Sequence, residues 1–197
     1  MACEKKKDII FVIYSDSRTV FRINDIALLL GCVDGLLYQK LNYFVKQGKL
    51  LNIRRGIYAK QSYRSEELAC ILYTPTYISL DYVFQRNGIN FQYDSAITNI
   101  TYQNREIEVD NQIIRYKQIK REILVNPAGI LLNQNNINIA TPERAFLDQI
   151  YLYKNSYFDS LNSLKMEKIS QLLPVYNSET FNNNVKKVID NAKYPPT

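Results

Sequence analysis

Two stretches near the start of the chain repeat apolar residues at helical spacing, and they constrain the fold more than any other feature. In the first stretch the apolar positions are Ile23, Ile26, Ala27 and Leu30. In the second stretch they are Leu37, Leu41, Phe44 and Val45. Gly31 follows the first helix as a C-terminal cap, and Asp34 can cap the start of the second. Two short helices separated by so few residues predict a helix-turn-helix.

A β-hairpin is predicted directly after these helices. Apolar-rich strands in residues 49–60 flank Arg54, Arg55 and Gly56, and the glycine supplies the positive φ that a tight hairpin needs. A further helix is predicted upstream, from about Lys5 to Ser15, where apolar residues again follow helical spacing. Three helices followed by a hairpin are typical of a winged helix-turn-helix, which we assign to residues 1–62.

The excess positive charge of the chain belongs to this segment. The whole chain has 25 Lys and Arg against 19 Asp and Glu, a formal charge of +6. Residues 1–60 contain 11 of these basic residues and 5 of the acidic ones, whereas residues 61–197 contain 14 of each. Such asymmetry suggests a nucleic-acid or membrane-surface module joined to a neutral domain. A merely solvated basic surface is the alternative.

The second helix of the pair presents side chains that are suited to DNA. If its apolar stripe faces the core, the outer face and its edge contain Gly35, Tyr38, Gln39, Asn42, Tyr43 and Lys46. The amides of Gln39 and Asn42 can contact adenine N6 and N7 together, so A·T-rich double-stranded DNA is expected. Arg54 and Arg55 at the wing tip could reach the DNA backbone or a narrow minor groove.

Other basic residues of the segment are candidates for phosphate contacts, which set the register of a protein on DNA without reading sequence. These candidates are Lys40, Lys46, Lys49, Arg18 and Arg22. The complete predicted DNA-binding set is Arg18, Arg22, Tyr38, Gln39, Lys40, Asn42, Lys46, Lys49, Arg54 and Arg55. Two alternatives stay open: the tyrosines could be packing residues, and a winged helix can also mediate protein contacts alone.

Residues 63–197 predict a mixed domain, which makes the whole chain α+β. Helices are expected from Ser65 to the break at Thr74-Pro75, and again over 79–86. Alternating apolar and polar residues then indicate strands at 97–102, 106–109 and 113–117, with a hairpin turn at 110–112. We predict a small antiparallel sheet of about four to six strands.

Flanking helices complete this domain. Thr141 is a good N-cap and Pro142 a good first helical residue, so a helix is predicted to run through Ile150. A helical tail is expected over about 156–197, with helices near 166–173 and 178–191.

The chain has no histidine, which excludes several kinds of chemistry. Ser-His-Asp and Cys-His nucleophiles, His-containing zinc sites and imidazole acid–base catalysis all require it. None of the six glycines lies in a phosphate-binding motif. Glu106, Glu108 and Asp110 share one face of a predicted strand, where they could hold magnesium in a nuclease or simply face solvent. We favour the solvated face, and expect no enzyme activity, cofactor or metal.

The cellular compartment is predicted from what the sequence lacks. Cys3, Cys32 and Cys70 are odd in number and widely spaced, so neither a disulfide framework nor a Cys-only metal site is expected. The apolar runs are too short to span a bilayer, and Met1–Lys7 does not lead into a signal peptide. A cytoplasmic protein without a membrane partner is expected.

Four motifs, taken in order along the chain, resemble a known family. Arg54-Arg55-Gly56-Ile57-Tyr58 ends the predicted winged helix, and Pro75-Thr76-Tyr77-Ile78-Ser79-Leu80 and Asn87-Gly88-Ile89 follow it. The last motif is Ile139-Ala140-Thr141-Pro142-Glu143-Arg144-Ala145-Phe146-Leu147-Asp148. Over about residues 20–155 the chain resembles the AbiEi family, bacterial antitoxins of type IV toxin-antitoxin systems that act in abortive infection.

The resemblance implies a protein with two functions. Its N-terminal winged helix would repress its own operon, and its C-terminal domain would oppose a nucleotidyltransferase toxin encoded alongside. The resemblance carries the DNA-binding role onto Gln39, Lys40, Asn42, Lys46, Arg54 and Arg55. A transcription regulator outside any toxin system, with a C-terminal domain that binds a protein or ligand, is the alternative.

Overall fold

The structure is a computed structural model that describes residues 8–31, 36–132, 137–153 and 156–193. The chain divides into two compact units, an N-terminal unit that runs to Leu72 and a C-terminal unit that begins at Tyr73. Both units combine helices with strands, so the predicted α+β class is confirmed. In the described part of the chain no helix is both long and apolar enough to cross a bilayer.

The described residues of the N-terminal unit form four helices and a three-stranded antiparallel sheet. In chain order the elements are α1 (Ile9–Ser15), β1 (Val20–Arg22), α2 (Ile23–Leu30), α3 (Leu37–Lys46), β2 (Leu51–Arg54), β3 (Ile57–Ala59) and α4 (Ser65–Leu72). The strand order is β1-β3-β2. This arrangement is compatible with a winged helix in which α2 and α3 form the helix pair and β2 and β3 the wing.

Two glycines of the N-terminal unit adopt the positive φ angles that the sequence predicted. Gly31 ends α2 in the left-handed conformation at φ 68°, and Gly56 adopts φ 78° in the hairpin. Strand β1 was not predicted, because three residues are too few to establish a period of two. Lys5, Asp34 and Gly35 lie outside the described residues.

A single apolar cluster fills the N-terminal unit. Its buried members are Ile13, Phe21, Ile26, Leu37, Leu41, Leu50 and Tyr58. The predicted stripe of α3 faces this cluster, with Leu37 and Leu41 buried and Phe44 and Val45 partly buried against it. The opposite side of α3 therefore faces away from the core.

Helix α4 belongs to the N-terminal unit, so the boundary between the units lies after Leu72 instead of after residue 62. The reason is the buried carboxylate of Glu67. Its Oε2 accepts hydrogen bonds from the Thr19 hydroxyl at 2.9 Å and from the Val20 backbone N–H at 3.1 Å, and its Oε1 pairs with Arg64 at 2.8 Å. These bonds join α4 to β1.

The C-terminal unit contains a six-stranded sheet with flanking helices. Its first elements are β4 (Tyr77–Ile78), α5 (Asp81–Arg86), β5 (Ile97–Thr101), β6 (Arg105–Val109), β7 (Gln112–Gln118) and α6 (Arg121–Leu124). The remainder are β8 (Ile130–Leu132), β9 (Asn138–Ala140), α7 (Pro142–Leu152), α8 (Met166–Leu172), a 3-10 helix (Leu173–Tyr176) and α9 (Glu179–Lys193). The strand order is β6-β7-β5-β4-β9-β8.

This larger sheet is mixed, whereas the sequence predicted antiparallel strands. β5 pairs in parallel with β7, and β4 pairs in parallel with β9. The predicted hairpin of β6 and β7 is present, with Asp110 and Asn111 at positive φ in the turn. Within it the more apolar β7 takes the inner position, and β6, with charged Arg105, Glu106 and Glu108, forms the edge.

Of the helices predicted to begin near Thr141 and at Ser79, only the first begins where the sequence indicated. Thr141 caps α7, because its side chain accepts the Arg144 backbone N–H at 3.3 Å, and Pro142 is the first helical residue. Ser79 does not cap the next helix; Leu80 takes that position and the Ser79 side chain is buried. The helical tail packs onto the unit, with Tyr176 and Phe181 buried.

Candidate nucleic-acid interface

The outer face of α3 is polar and cationic. Its exposed side chains are Tyr38, Gln39, Lys40, Asn42, Tyr43 and Lys46. They are exposed because Leu37 and Leu41 turn the other side of the helix into the core. The structure thus brings together on one helix the predicted base-contacting amides and two of the predicted phosphate ligands.

The wing adds an exposed pair of arginines. Arg54 ends β2, Arg55 follows it, and both side chains are exposed. The pairing of β2 with β3 changes register between Asn52 and Arg54. Such an irregularity increases the local twist of a hairpin, and the tip of the wing therefore departs from a flat ribbon.

Every charge on α3 and the wing is positive. From Leu36 to Tyr63 the sequence has six Lys and Arg residues and no Asp or Glu. All of them except Lys60 are exposed. A surface of one sign attracts a polyanion without compensation from its own acidic groups. We refer to this surface, residues 36–63, as the basic face.

Arg18 and Arg22, also predicted as phosphate ligands, have partners inside the unit. The Arg18 guanidinium binds both carboxylate oxygens of Asp16, at 2.9 and 2.8 Å, and lies over the Phe21 ring. This hydrogen bonding from Arg18 lowers the pKa of Asp16 and keeps the pair charged. Arg22 donates to the Ile71 carbonyl at 2.7 Å. Both arginines stabilise the unit, and their phosphate contacts stay a prediction.

Two predicted contact residues of α3 touch the wing strand β3. The Tyr38 ring meets the Tyr58 ring edge-on, with centroids 6.3 Å apart, and Tyr38 remains 38% exposed. The Tyr58 hydroxyl donates to Asn42 Oδ1 at 3.4 Å. Side chains of α3 and β3 are therefore in direct contact.

The C-terminal unit contains a buried ionic network that the sequence did not reveal. Arg144 and Asp148 of α7 are 0% exposed and pair at 3.3 Å between Nε and Oδ1. The Asp148 carboxylate also accepts hydrogen bonds from three hydroxyls, those of Tyr77, Ser79 and Tyr176, at 2.7–3.1 Å. A visible signal was the i, i+4 spacing of two opposite charges around the apolar residues 145–147.

The Arg144 guanidinium also donates hydrogen bonds to groups other than Asp148. Its guanidinium donates to the Ile123 carbonyl at 2.7 Å, the Ala128 carbonyl at 2.8 Å and the Tyr77 hydroxyl at 3.2 Å. Burial raises the pKa of Tyr77, so its hydroxyl stays protonated at neutral pH. The network joins β4, α7 and the 3-10 helix, and we assign it a structural role.

Glu106 and Glu108, two of the carboxylates considered as magnesium ligands, face other partners. Glu106 pairs with Arg115 at 2.7 Å, and Arg115 also pairs with Asp94. The register of β6 and β7 places Glu106 opposite Arg115 and Glu108 opposite Ile113. Among the described residues no group of three or more His, Cys, Asp or Glu side chains is arranged to hold a metal ion.

Comparison with known proteins adds no assignment. The sequence matches no protein-family model and no curated protein.

Proposed function

We propose that this protein is a DNA-binding transcriptional autorepressor and an antitoxin that opposes a nucleotidyltransferase toxin, without catalysis of its own. The observation that carries the DNA-binding part is the basic face. It joins an exposed helix with two amides to a wing with two arginines, and it has no acidic residue.

The physical argument follows from how proteins bind duplex DNA. Cations that neutralise phosphates supply most of the affinity and set the register, while amides at the centre of a recognition helix contact base edges. Lys40, Lys46 and Lys49 suit the first role, and Gln39 and Asn42 the second. Arg54 and Arg55 extend the contact from the major groove to the flanking backbone or minor groove.

The antitoxin part rests on the resemblance to the AbiEi family. Two of the motifs that carry this resemblance contribute to one buried network. Tyr77 and Ser79 come from the motif at residues 75–80, and Arg144 and Asp148 come from the motif at residues 139–148. This shared location supports the idea that the motifs describe one domain. Because these residues are buried, other residues, on the surface of the C-terminal unit, are proposed to oppose the toxin.

DNA binding is tested by a mobility-shift assay on the region upstream of the gene. We expect specific binding, which the triple variant Gln39→Ala, Arg54→Ala, Arg55→Ala abolishes. The matched control is Lys186→Ala with Lys187→Ala, two adjacent exposed lysines of α9, which should bind as the wild type does. Unchanged binding by the triple variant would contradict the assigned site.

The wing arginines can be tested separately through the salt dependence of DNA affinity. Each phosphate contact contributes about 0.9 to the slope of log affinity against log salt. Arg54→Ala with Arg55→Ala should therefore weaken binding to all sequences and reduce that slope by about two. Gln39→Ala should instead relax sequence preference and leave the slope unchanged.

The antitoxin part is tested by co-expression with the neighbouring gene. A nucleotidyltransferase-like gene beside this one, toxic alone and harmless with this protein, is the expected result. DNA binding without such a neighbour or such rescue would favour the alternative, a winged-helix regulator outside a toxin system whose C-terminal unit binds a protein or ligand.

A further inference from the structure

The wing strand β3 contains a buried tyrosine that reaches the recognition helix. Tyr58 is 0% exposed, and its ring packs in the apolar cluster of the N-terminal unit. A buried phenol normally requires a hydrogen-bond partner, and here the hydroxyl donates to Asn42 Oδ1 at 3.4 Å. Burial raises the pKa of Tyr58, and nearby Tyr38 adds to that shift. The hydroxyl therefore keeps its proton and remains the donor at neutral pH.

In this structure the Asn42 amide is turned with its oxygen towards the Tyr58 hydroxyl. The oxygen and nitrogen of an amide diverge from the same carbon, so turning Oδ1 towards Tyr58 turns Nδ2 away from that hydroxyl. Nδ2 keeps both of its protons, whereas one lone pair of Oδ1 is occupied. Because Asn42 is exposed on α3, Nδ2 offers a ligand two unused donors, whereas Oδ1 has one lone pair left.

We propose that Tyr58 is a positioning residue for base recognition, which holds Asn42 so that Nδ2 is offered as a hydrogen-bond donor in the major groove. The proposal rests on the DNA binding proposed above. The base atoms that accept a hydrogen bond there are purine N7, guanine O6 and thymine O4. Asn42 is thus oriented to donate to one of these acceptors, and Gln39 remains the candidate for the two-bond contact with adenine.

Pre-orientation also explains why the contact is useful. An exposed asparagine must give up its rotational freedom when it binds a base, which costs affinity. A hydroxyl fixed in the core reduces that cost before DNA arrives. Tyr58 itself touches no DNA, so its effect should be confined to sequences that Asn42 reads.

The test compares Tyr58→Phe with the wild type on operator and on scrambled DNA at one salt concentration. The substitution keeps the buried ring and removes the hydroxyl. We expect operator affinity to fall about three- to tenfold, the usual range for one hydrogen bond, and affinity for scrambled DNA to stay within about twofold. In an Asn42→Ala background, Tyr58→Phe should have no further effect on operator affinity.

A second tyrosine provides the matched control. The Tyr14 hydroxyl also makes one hydrogen bond, to the Lys49 carbonyl at 2.8 Å, but to no base-reading side chain. Tyr14→Phe should leave discrimination between operator and scrambled DNA unchanged. Additive effects of Tyr58→Phe and Asn42→Ala, or an equal loss on both DNAs, would overturn the proposal.

A measurement without DNA separates this proposal from the proposed function. The side-chain amide resonances of Asn42 in the free protein should shift and broaden in Tyr58→Phe, because the amide then samples several orientations. Unchanged resonances would overturn the positioning role whether or not the protein binds DNA. Shifted resonances in a protein that binds no DNA would show that Tyr58 orients Asn42, but would overturn its role in base recognition together with the DNA-binding proposal.

Discussion

Asp148 shows how much a single buried carboxylate can depend on distant parts of the chain. Burial raises its pKa, while the Arg144 guanidinium and the hydroxyls of Tyr176, Ser79 and Tyr77 oppose that shift. Each of these groups donates to the carboxylate, so removing its charge leaves the buried Arg144 cation without its counter-ion and the hydroxyls with a weaker acceptor. Breaking a buried pair in this way is strongly destabilising.

Asp148→Asn is therefore expected to lower the free energy of unfolding of the C-terminal unit by about 3–5 kcal/mol. Ser79→Ala, which removes one neutral donor, should cost about 1 kcal/mol. Urea titration of each variant measures both values, with the exposed Asp190→Asn as the charge-matched control. A loss below about 1 kcal/mol for Asp148→Asn would contradict the structural role of the network.

Only part of this network could be predicted from the sequence. Arg144 and Asp148 are four residues apart on a predicted helix, and their spacing is visible in the sequence. Tyr77 and Tyr176 are far from them along the chain, and nothing local indicates that their hydroxyls converge on one carboxylate. Exposed residues of the basic face were easier to predict, because helical periodicity alone determines which side of α3 faces out.

Among the elements, those with strong local signals were predicted correctly. α2 and α3 follow their apolar stripes, the wing follows its glycine, and α7 begins at its threonine cap. The order of strands in the larger sheet was not predicted, because β4 pairs with β9 across a long stretch of chain. Pairing of that kind depends on tertiary packing, which a residue pattern does not encode.

The assignment of helix α4 to the N-terminal unit can be tested by mutation. Glu67 connects it to β1, and hydrogen bonds to a charged group are worth about 1.5–3 kcal/mol each. Glu67→Gln should lower the free energy of unfolding of the N-terminal unit by about that amount, which thermal or urea unfolding measures. Glu122→Gln, an exposed carboxylate of α6, should leave it unchanged. An effect confined to the C-terminal unit would place α4 there instead.

For the molecule as a whole, the division into two compact units predicts separable roles. The basic face and its supporting cluster lie in the N-terminal unit, and the Arg144 network lies in the C-terminal unit. Damage to one core should therefore leave the activity of the other unit intact.

Two substitutions test this separation. Leu41→Ala removes a buried side chain of α3 and should cost about 2–5 kcal/mol, with a parallel loss of the proposed DNA binding. Tyr176→Phe removes one hydroxyl bond to Asp148, at 2.7 Å, and should leave DNA affinity within about twofold of the wild type. Mobility-shift titration together with thermal unfolding measures both. Equal loss of DNA binding in the two variants would mean that the units fold and act as one.

The composition of the basic face has a consequence for how the protein senses its surroundings. Residues 36–63 contain no histidine, cysteine or carboxylate, and thus no side chain whose ordinary pKa lies between about 5 and about 9. Its charge is therefore constant over that range of acidity. Any binding of a polyanion by this surface should therefore be insensitive to pH over that range and sensitive to ionic strength.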